Sequence, residues 1–327
     1  MSYESTDPES LKTIYTLATR IRQCDERVIG MLMSGQIAII YYPVTGQEVI
    51  AAAVGAALRD DDYLVTTYRG MHDQIAKGLP FGPLLAEYLG KATGACKGKG
   101  GPMHITDPGH GVMVTSGIVG GAIPIANGLA WAAQLLGQDR VVVANFGDGA
   151  ANIGAFHEAM NLAALWQLPV VFVCQNNLYA EHTTYARSQR NATVSARAAG
   201  YGMPGVTVDG NDAAAIHGAV SEAVRQARTG GGPTLIEAMT YRFNGHYFGD
   251  PQEYMPADER KAAKKKDPVK ALRSQLIASG AASEVELAEL EAGIAAELDA
   301  AVEAANAAPA PDEAELSTDV YAEGVPV

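Results

Sequence analysis

The chain has 327 residues, 48% of them hydrophobic and 19% charged, enough for one large or two modest domains with a sizeable core. Its net charge of −13 lies almost entirely in the C-terminal end, where twelve acidic and no basic residues follow Ser274; the nearly balanced remainder argues against nucleic-acid binding. Cys24, Cys96 and Cys174 are far apart and lack CxxC spacing, so no disulfide framework or zinc site is expected, and no apolar run approaches the roughly 18 residues of a membrane span.

The polar, acidic start MSYESTDPESLK is unlike a signal or transit peptide, so a cytoplasmic protein is expected. Over residues 8–35, Leu11, Ile14, Leu17, Ala18, Ile21, Val28 and Leu32 recur at helical spacing and predict an amphipathic N-terminal helix. In TGQEVIAAAVGAAL, Thr45 stands three residues before Glu48. That is a capping-box pattern ahead of an alanine-rich helix, and it gives Glu48 a structural role.

Beyond it, DYLVTTY, RVVVANF, LPVVFVCQ, GVTVDG and PTLIEAMTYR read as strands, and IPIANGLAWAAQLL, NIGAFHEAMNLAALW and DAAAIHGAVSEAVRQA as helices. Continuous apolar strands separated by helices predict an α/β fold with a mostly parallel sheet covered on both faces. The basic run 261–266 sits beside Asp258, Glu259 and Asp267 and reads as a solvated helix face. Helical sequence continues from about 267 to 305, and the remaining AAPAPDEAELSTDVYAEG is too polar to pack by itself. One domain over 1–327, with a helical and extended tail over about 267–327, is the economical division.

Ligands of parallel α/β sheets bind beyond the carboxyl ends of the strands. The residues just past the predicted strands are Arg69; Gly147, Asp148 and Gly149; Gln175, Asn176 and Asn177; and Gly245 and His246. Together they offer a cation, a carboxylate, amide oxygens, an imidazole and glycine backbone, a set suited to a diphosphate held through a divalent metal. Magnesium takes oxygen ligands, only a few of them from protein, and Asp148, Asn177 and the Tyr179 carbonyl supply candidates. Gly149 and Ala150, expected to open the following helix, present N–H groups to phosphate oxygens. Two rival glycine motifs fail. GDGAANIG has Asn152 where a dinucleotide fingerprint needs glycine, and GACKGKGG lacks both the Walker spacing and the hydroxyl residue after lysine.

GDG, 26 residues, then NN resembles the thiamine diphosphate and magnesium motif. TYRG, KGKGGPMHI, SGIVGGAIPIANGLA, NLAALWQLP, IEAMTYRFNGHYFGDP and the terminal STDVYAE resemble the alpha subunit of thiamine diphosphate-dependent 2-oxo acid and acetoin dehydrogenases. The resemblance implies that Asp148, Asn177 and the Tyr179 carbonyl hold Mg2+. It places Arg69 and His246 at the diphosphate, with Gly147, Gly149, Ala150 and Gln175 around it. Tyr68 and the backbone of Gly117, Ile118, Val119 and Gly120 would border the aminopyrimidine, and His246 would also assist acyl transfer to a lipoyl group.

The same resemblance implies a beta subunit that supplies the activating glutamate in an α2β2 assembly, and a lipoyl-bearing acyltransferase as partner. The reaction would be carbon–carbon cleavage next to a carbonyl, either 2-oxo acid decarboxylation or acetoin cleavage. Tyr42 stands where pyruvate- and acetoin-type members commonly carry histidine, and Tyr247 where mammalian enzymes carry a regulatory serine. His104 matches a family histidine and His110 does not. A non-catalytic thiamine-binding scaffold and a nicotinamide-dependent dehydrogenase are the alternative functions, and the substrate is left open.

Overall fold

The computed structural model describes residues 6–320, so the last three residues of STDVYAE lie outside the described residues. Its strands are β1 (Tyr63–Thr67), β2 (Val112–Ser116), β3 (Val142–Gly147), β4 (Val170–Asn176), β5 (Tyr179–Ala180), β6 (Thr183–Thr184), β7 (Gly205–Asp209) and β8 (Thr234–Met239). Six of them form one sheet in the order β2-β1-β3-β4-β8-β7, every pair parallel, while β5 and β6 make a small antiparallel hairpin.

All five strands expected from the sequence are present. The sixth, β2, was not among them; it is a short edge strand in which only Val112 and Thr115 are buried. By contrast all seven residues of β4 are buried, which its position inside the sheet requires.

Eleven helices are described: α1 (Pro8–Met33), α2 (Glu48–Ala57), α3 (Met71–Ala76), α4 (Phe81–Tyr88), α5 (Ala122–Leu135), α6 (Gly154–Trp166), α7 (Tyr185–Ser188), α8 (Ala213–Arg228), α9 (Ala257–Lys265), α10 (Pro268–Ala278) and α11 (Glu284–Ala307). Alternate strand residues feed two cores on opposite faces. Val143, Val171, Val173 and Ile236 pack with Ile14 and Ile21 of α1, Val49 of α2 and Ile216 of α8. Val142, Ala144, Phe146 and Phe172 pack with Ala126 of α5 and Phe156 and Met160 of α6. No helix among the described residues is long and apolar enough to cross a membrane.

Three local expectations need correction. The capping box at Thr45 does not form, because buried Asp25 takes both the hydroxyl and the N–H of Thr45. Glu48 is instead the first residue of α2, where it pairs with Arg22 and accepts the Gly46 N–H at 2.8 Å. That keeps the structural role but changes its form.

The second correction concerns Gly149 and Ala150, which lie in a 3-10 turn (Asp148–Asn152), with α6 starting only at Gly154. The third concerns the tail, which is polar yet docked. Ala92 N–H bonds the Pro309 carbonyl at 3.0 Å, and Lys97 and Lys99 both pair with Glu315 and Asp319.

The two lysines belong to the GACKGKGG loop, and that loop closes on a protein carboxylate. Glu87 of α4, 1% exposed, accepts the N–H groups of Cys96, Gly98, Gly100 and Gly101 at 2.7–3.1 Å. Two smaller expectations hold: α9, which carries the basic run, buries none of its side chains, and Cys174 is a core residue whose thiol is pushed up by burial.

Candidate cofactor site

The sheet reverses its order between β1 and β3: β1 borders β2 on one side, whereas β3 leads the other way to β4. A crevice opens at such a switch point, beyond the carboxyl ends of the strands. It holds a cavity of about 490 Å3 whose wall includes Thr67 from β1, Gly147 from β3 and Gln175 from β4. Every residue assigned above to the cofactor, the metal or acyl transfer lines this cavity except Ile118. Its side chain is 76% exposed, while Gly117, Val119 and Gly120 stay at the wall.

Gly147 of β3 pairs with Gln175 of β4, so Asp148 and the two asparagines leave adjacent strands side by side. Only one asparagine faces the cavity. Asn176 is fully buried, donates to Glu237 at 2.7 Å and accepts the Leu178 N–H at 3.0 Å. Asn177 lines the cavity and donates its Nδ2 to Gln47 at 2.8 Å, an orientation that keeps Oδ1 as the acceptor atom.

Asp148 is 1% exposed and its Oδ2 has no hydrogen-bond partner. Burial pushes its carboxyl up to about 6. A cation at that oxygen would relieve both the missing partner and the buried charge. Among the described residues no three His, Cys, Asp or Glu side chains cluster as a metal site. The oxygens on offer are therefore one carboxylate, one amide and backbone carbonyls, a hard donor set.

At the 3-10 turn the first N–H groups have no partner within the turn and remain available to an anion. Gly149 is required here by proximity, since an added Cβ would meet Ala180 of β5 at 2.8 Å.

Arg69 and His246 form the facing wall. The buried Arg69 guanidinium donates to the His246 carbonyl at 2.8 Å and to the Pro43 carbonyl. Burial, reinforced by nearby Arg242, lowers Arg69 to about 10. Burial, then Arg69 and Arg242, lowers His246 to about 4, so its imidazole is neutral at pH 7. Arg69 and Arg242 thus hold two cations at the cavity, with only neutral acceptors among the described residues: carbonyl and hydroxyl oxygens and, for Arg69, His246 Nδ1 at 3.4 Å. Such a wall attracts a polyanion. Tyr42 stands edge-on to Tyr68 and His246, with ring centres at 4.6 and 5.3 Å, and closes the same wall.

The dehydrogenase E1 component family model matches residues 16–314. The chain is 42% identical over 309 residues to the alpha subunit of acetoin:2,6-dichlorophenolindophenol oxidoreductase from Bacillus subtilis, spanning 94% of this chain and 92% of that one. To the subunit of the same name from Cupriavidus necator it is 40% identical, spanning 96% and 95%. To the pyruvate dehydrogenase E1 component subunit alpha of Rhizobium meliloti it is 36% identical, spanning 92% and 86%. The chain belongs to the dehydrogenase E1 component family. As an E1 dehydrogenase chain it is an oxidoreductase.

The cavity of this E1 chain also contains residues that the sequence had not singled out: Gln47, His72, Asp73, Asn145, Glu181 and Arg242. Some left a signal. His72 and Asp73 follow the TYRG strand end by one helical turn, and Asn145 is the lone polar residue of an apolar strand. Gln175 has its amide engaged, facing His72 Nε2 at 2.7 Å and donating to Asp73 at 2.9 Å. Gln47 Nε2, His72 Nδ1, both amide atoms of Asn145 and Asp148 Oδ2 are buried without partners. Unsatisfied polar atoms gathered at one cavity mark a place for a ligand with many polar groups. His104 and His110 are exposed and lie outside the cavity lining, His110 paired with Asp107 at 2.6 Å.

Proposed function

We propose that this chain is the alpha subunit of a thiamine diphosphate- and Mg2+-dependent dehydrogenase that cleaves a carbon–carbon bond next to a carbonyl and passes the acyl fragment to a lipoyl acceptor. The observation that carries the proposal is the orphaned, buried Asp148 oxygen beside Asn177 in a cavity with a cationic wall, in a chain of the E1 family. These residues fit the cofactor: a carboxylate and an amide oxygen for the metal, free N–H groups and guanidinium cations for the diphosphate.

In this assignment Asp148, Asn177 and the Tyr179 carbonyl hold Mg2+, and Arg69 and His246 face the diphosphate with Gly147, Gly149, Ala150 and Gln175 around it. Tyr68 and the Gly117, Ile118, Val119 and Gly120 backbone border the aminopyrimidine. When bound, thiamine diphosphate supplies the electron sink for bond cleavage. The chain's own work is orientation and charge. Neutral His246 keeps one ring nitrogen able to accept a proton at pH 7, which suits it to take up and return a proton during acyl transfer.

An apolar surface supports a partner chain. On and at the ends of α5 and α6 the side chains of Ile125, Leu135, Leu136 and Leu165 are exposed, as are Trp131 and Trp166, whose rings meet tilted by 39° with centres 5.1 Å apart. Ile118, at 76% exposure, continues that surface toward the cavity wall, where a second chain would complete the site. We assign this place to a beta subunit carrying the activating glutamate, with a lipoyl-bearing acyltransferase as the further partner of an α2β2 assembly. Both acetoin-named relatives are more similar to the chain than the Rhizobium pyruvate one, so acetoin is the first substrate to test.

The chain should be assayed alone and with its neighbouring beta chain, using acetoin, pyruvate and branched 2-oxo acids with an artificial electron acceptor. Cofactor- and Mg2+-dependent turnover is expected only for the pair. Equal turnover by the isolated chain would overturn the shared-site assignment.

A pH dependence follows from Asp148. The metal needs its ionised form, so Mg2+-dependent cofactor binding should weaken as pH falls through about 6, by about tenfold per unit below it. Calorimetry between pH 5 and 8 would show this, and a flat profile would contradict it.

A further inference from the structure

Arg242, three residues beyond β8, is 1% exposed and lines the cavity. Its Nη1 donates to the Tyr179 carbonyl at 3.1 Å, and its Nη2 donates to the Glu181 carbonyl and to the Tyr254 hydroxyl at 2.8 Å. Its Nε has no partner. Among the described residues no carboxylate pairs with this guanidinium; Tyr254 links it to Asp250, to which that hydroxyl donates at 2.6 Å. A buried cation satisfied only by neutral oxygens is an unusual arrangement unless an anion joins it.

The contacts of Arg242 join two segments of the cavity wall. One is the turn after Asn177, where Leu178 and Glu181 both adopt left-handed backbone (φ 71° and 52°), a conformation that side-chain-bearing residues hold only under constraint. The other is the histidine loop, where the Asp250 carboxylate that receives Tyr254 also accepts the His246 N–H at 2.6 Å. A continuous path runs from the Tyr179 carbonyl through Arg242, Tyr254 and Asp250 to His246.

We infer that Arg242 is a positioning residue for the diphosphate and metal end of the cofactor. It aims the Tyr179 carbonyl, ties that turn to the His246 loop, and supplies positive charge at the cavity wall. This rests on the thiamine diphosphate assignment made above.

The test uses the complex purified on the full-length chain and calorimetry with three titrants: thiamine diphosphate with Mg2+, unphosphorylated thiamine, and Mg2+ at fixed cofactor. Arg242→Met should weaken thiamine diphosphate binding by about 100-fold while thiamine binding stays within about twofold, since only the diphosphate meets the lost charge. General loosening of the fold would weaken both ligands alike. Arg242→Lys keeps the charge but not the forked bonds to two carbonyls. It should restore the preference for the diphosphate to within about threefold of wild type, while the Mg2+ midpoint rises about tenfold.

A folded Arg242→Met protein that binds thiamine diphosphate within about twofold of wild type would overturn the inference. Where that variant fails to fold, Arg242→Lys decides, and an unchanged Mg2+ midpoint overturns it. Absence of thiamine diphosphate binding by the wild-type complex would remove the cofactor assignment and this inference with it.

Discussion

Asp148→Ala is expected to abolish Mg2+-dependent thiamine diphosphate binding and, at the same time, to stabilise the ligand-free chain. The carboxyl is buried, one oxygen has no partner, and its acidity is displaced from 3.8 to about 6. A carboxyl with a raised folded-state pKa favours unfolding as pH rises, because the unfolded chain gives up that proton first. The cost sets in above about pH 4, is complete above about pH 6, and amounts to about 3 kcal/mol at pH 7.

Alanine removes that cost, and the space it leaves opens into an existing cavity, so little packing is lost. The Asp148 carbonyl, which Gln189 holds at 3.2 Å, is unaffected. Scanning calorimetry of ligand-free wild type and variant should show a gap that is small at pH 4, widens up to about pH 6 and stays open at pH 8. Cofactor titration of the variant should show no Mg2+ response. A variant less stable than wild type at pH 8, or one with unchanged cofactor affinity, would remove Asp148 from the metal site.

Glu87→Gln should destabilise the chain by about 3 kcal/mol or more, although position 87 lies outside the cavity lining. The carboxylate accepts two N–H groups on each oxygen, from Cys96 and Gly98 on Oε2 and from Gly100 and Gly101 on Oε1. Glutamine keeps the shape but turns an amide donor toward two of those donors and removes the charge. Space also tunes the loop to this residue: a Cβ at Gly94 would fall 2.3 Å from Glu87 Oε2.

The same loop leads to Met103 at the cavity wall, so its loosening should weaken cofactor binding as a secondary effect. Urea denaturation is the primary measurement. A loss below about 1 kcal/mol would show that the glycine loop is organised by something other than this carboxylate.

The glycine loop also shows why motif shape misleads. GACKGKGG has the backbone for holding an anion, and sequence alone ruled out a nucleotide phosphate from spacing. That the anion is a glutamate nine to fourteen residues upstream became visible only in the folded chain. Thr45 is the converse case. Its local spacing to Glu48 satisfied a capping pattern, but Asp25, twenty residues earlier, competes for the same hydroxyl and wins because it is fully buried and already receives Tyr41 and Val44.

The strand-end residues were legible for a local reason. Alternation and apolar runs locate strands, parallel order sends their carboxyl ends to one edge, and Arg69, Asp148, Asn177 and His246 follow from counting. The sequence by itself determined five of the six strands of the main sheet, the spacing that brings Asp148 beside Asn177, and membership of a family. Tertiary structure alone decided that Asn176 serves Glu237 while Asn177 faces the cavity, that Gln47 orients Asn177 from 130 residues away, and that Arg242 holds the Tyr179 carbonyl across 63. The physical division is one of range: backbone periodicity is written in neighbouring residues, whereas the partner of a buried polar group is fixed by whichever distant group the fold carries within hydrogen-bond reach.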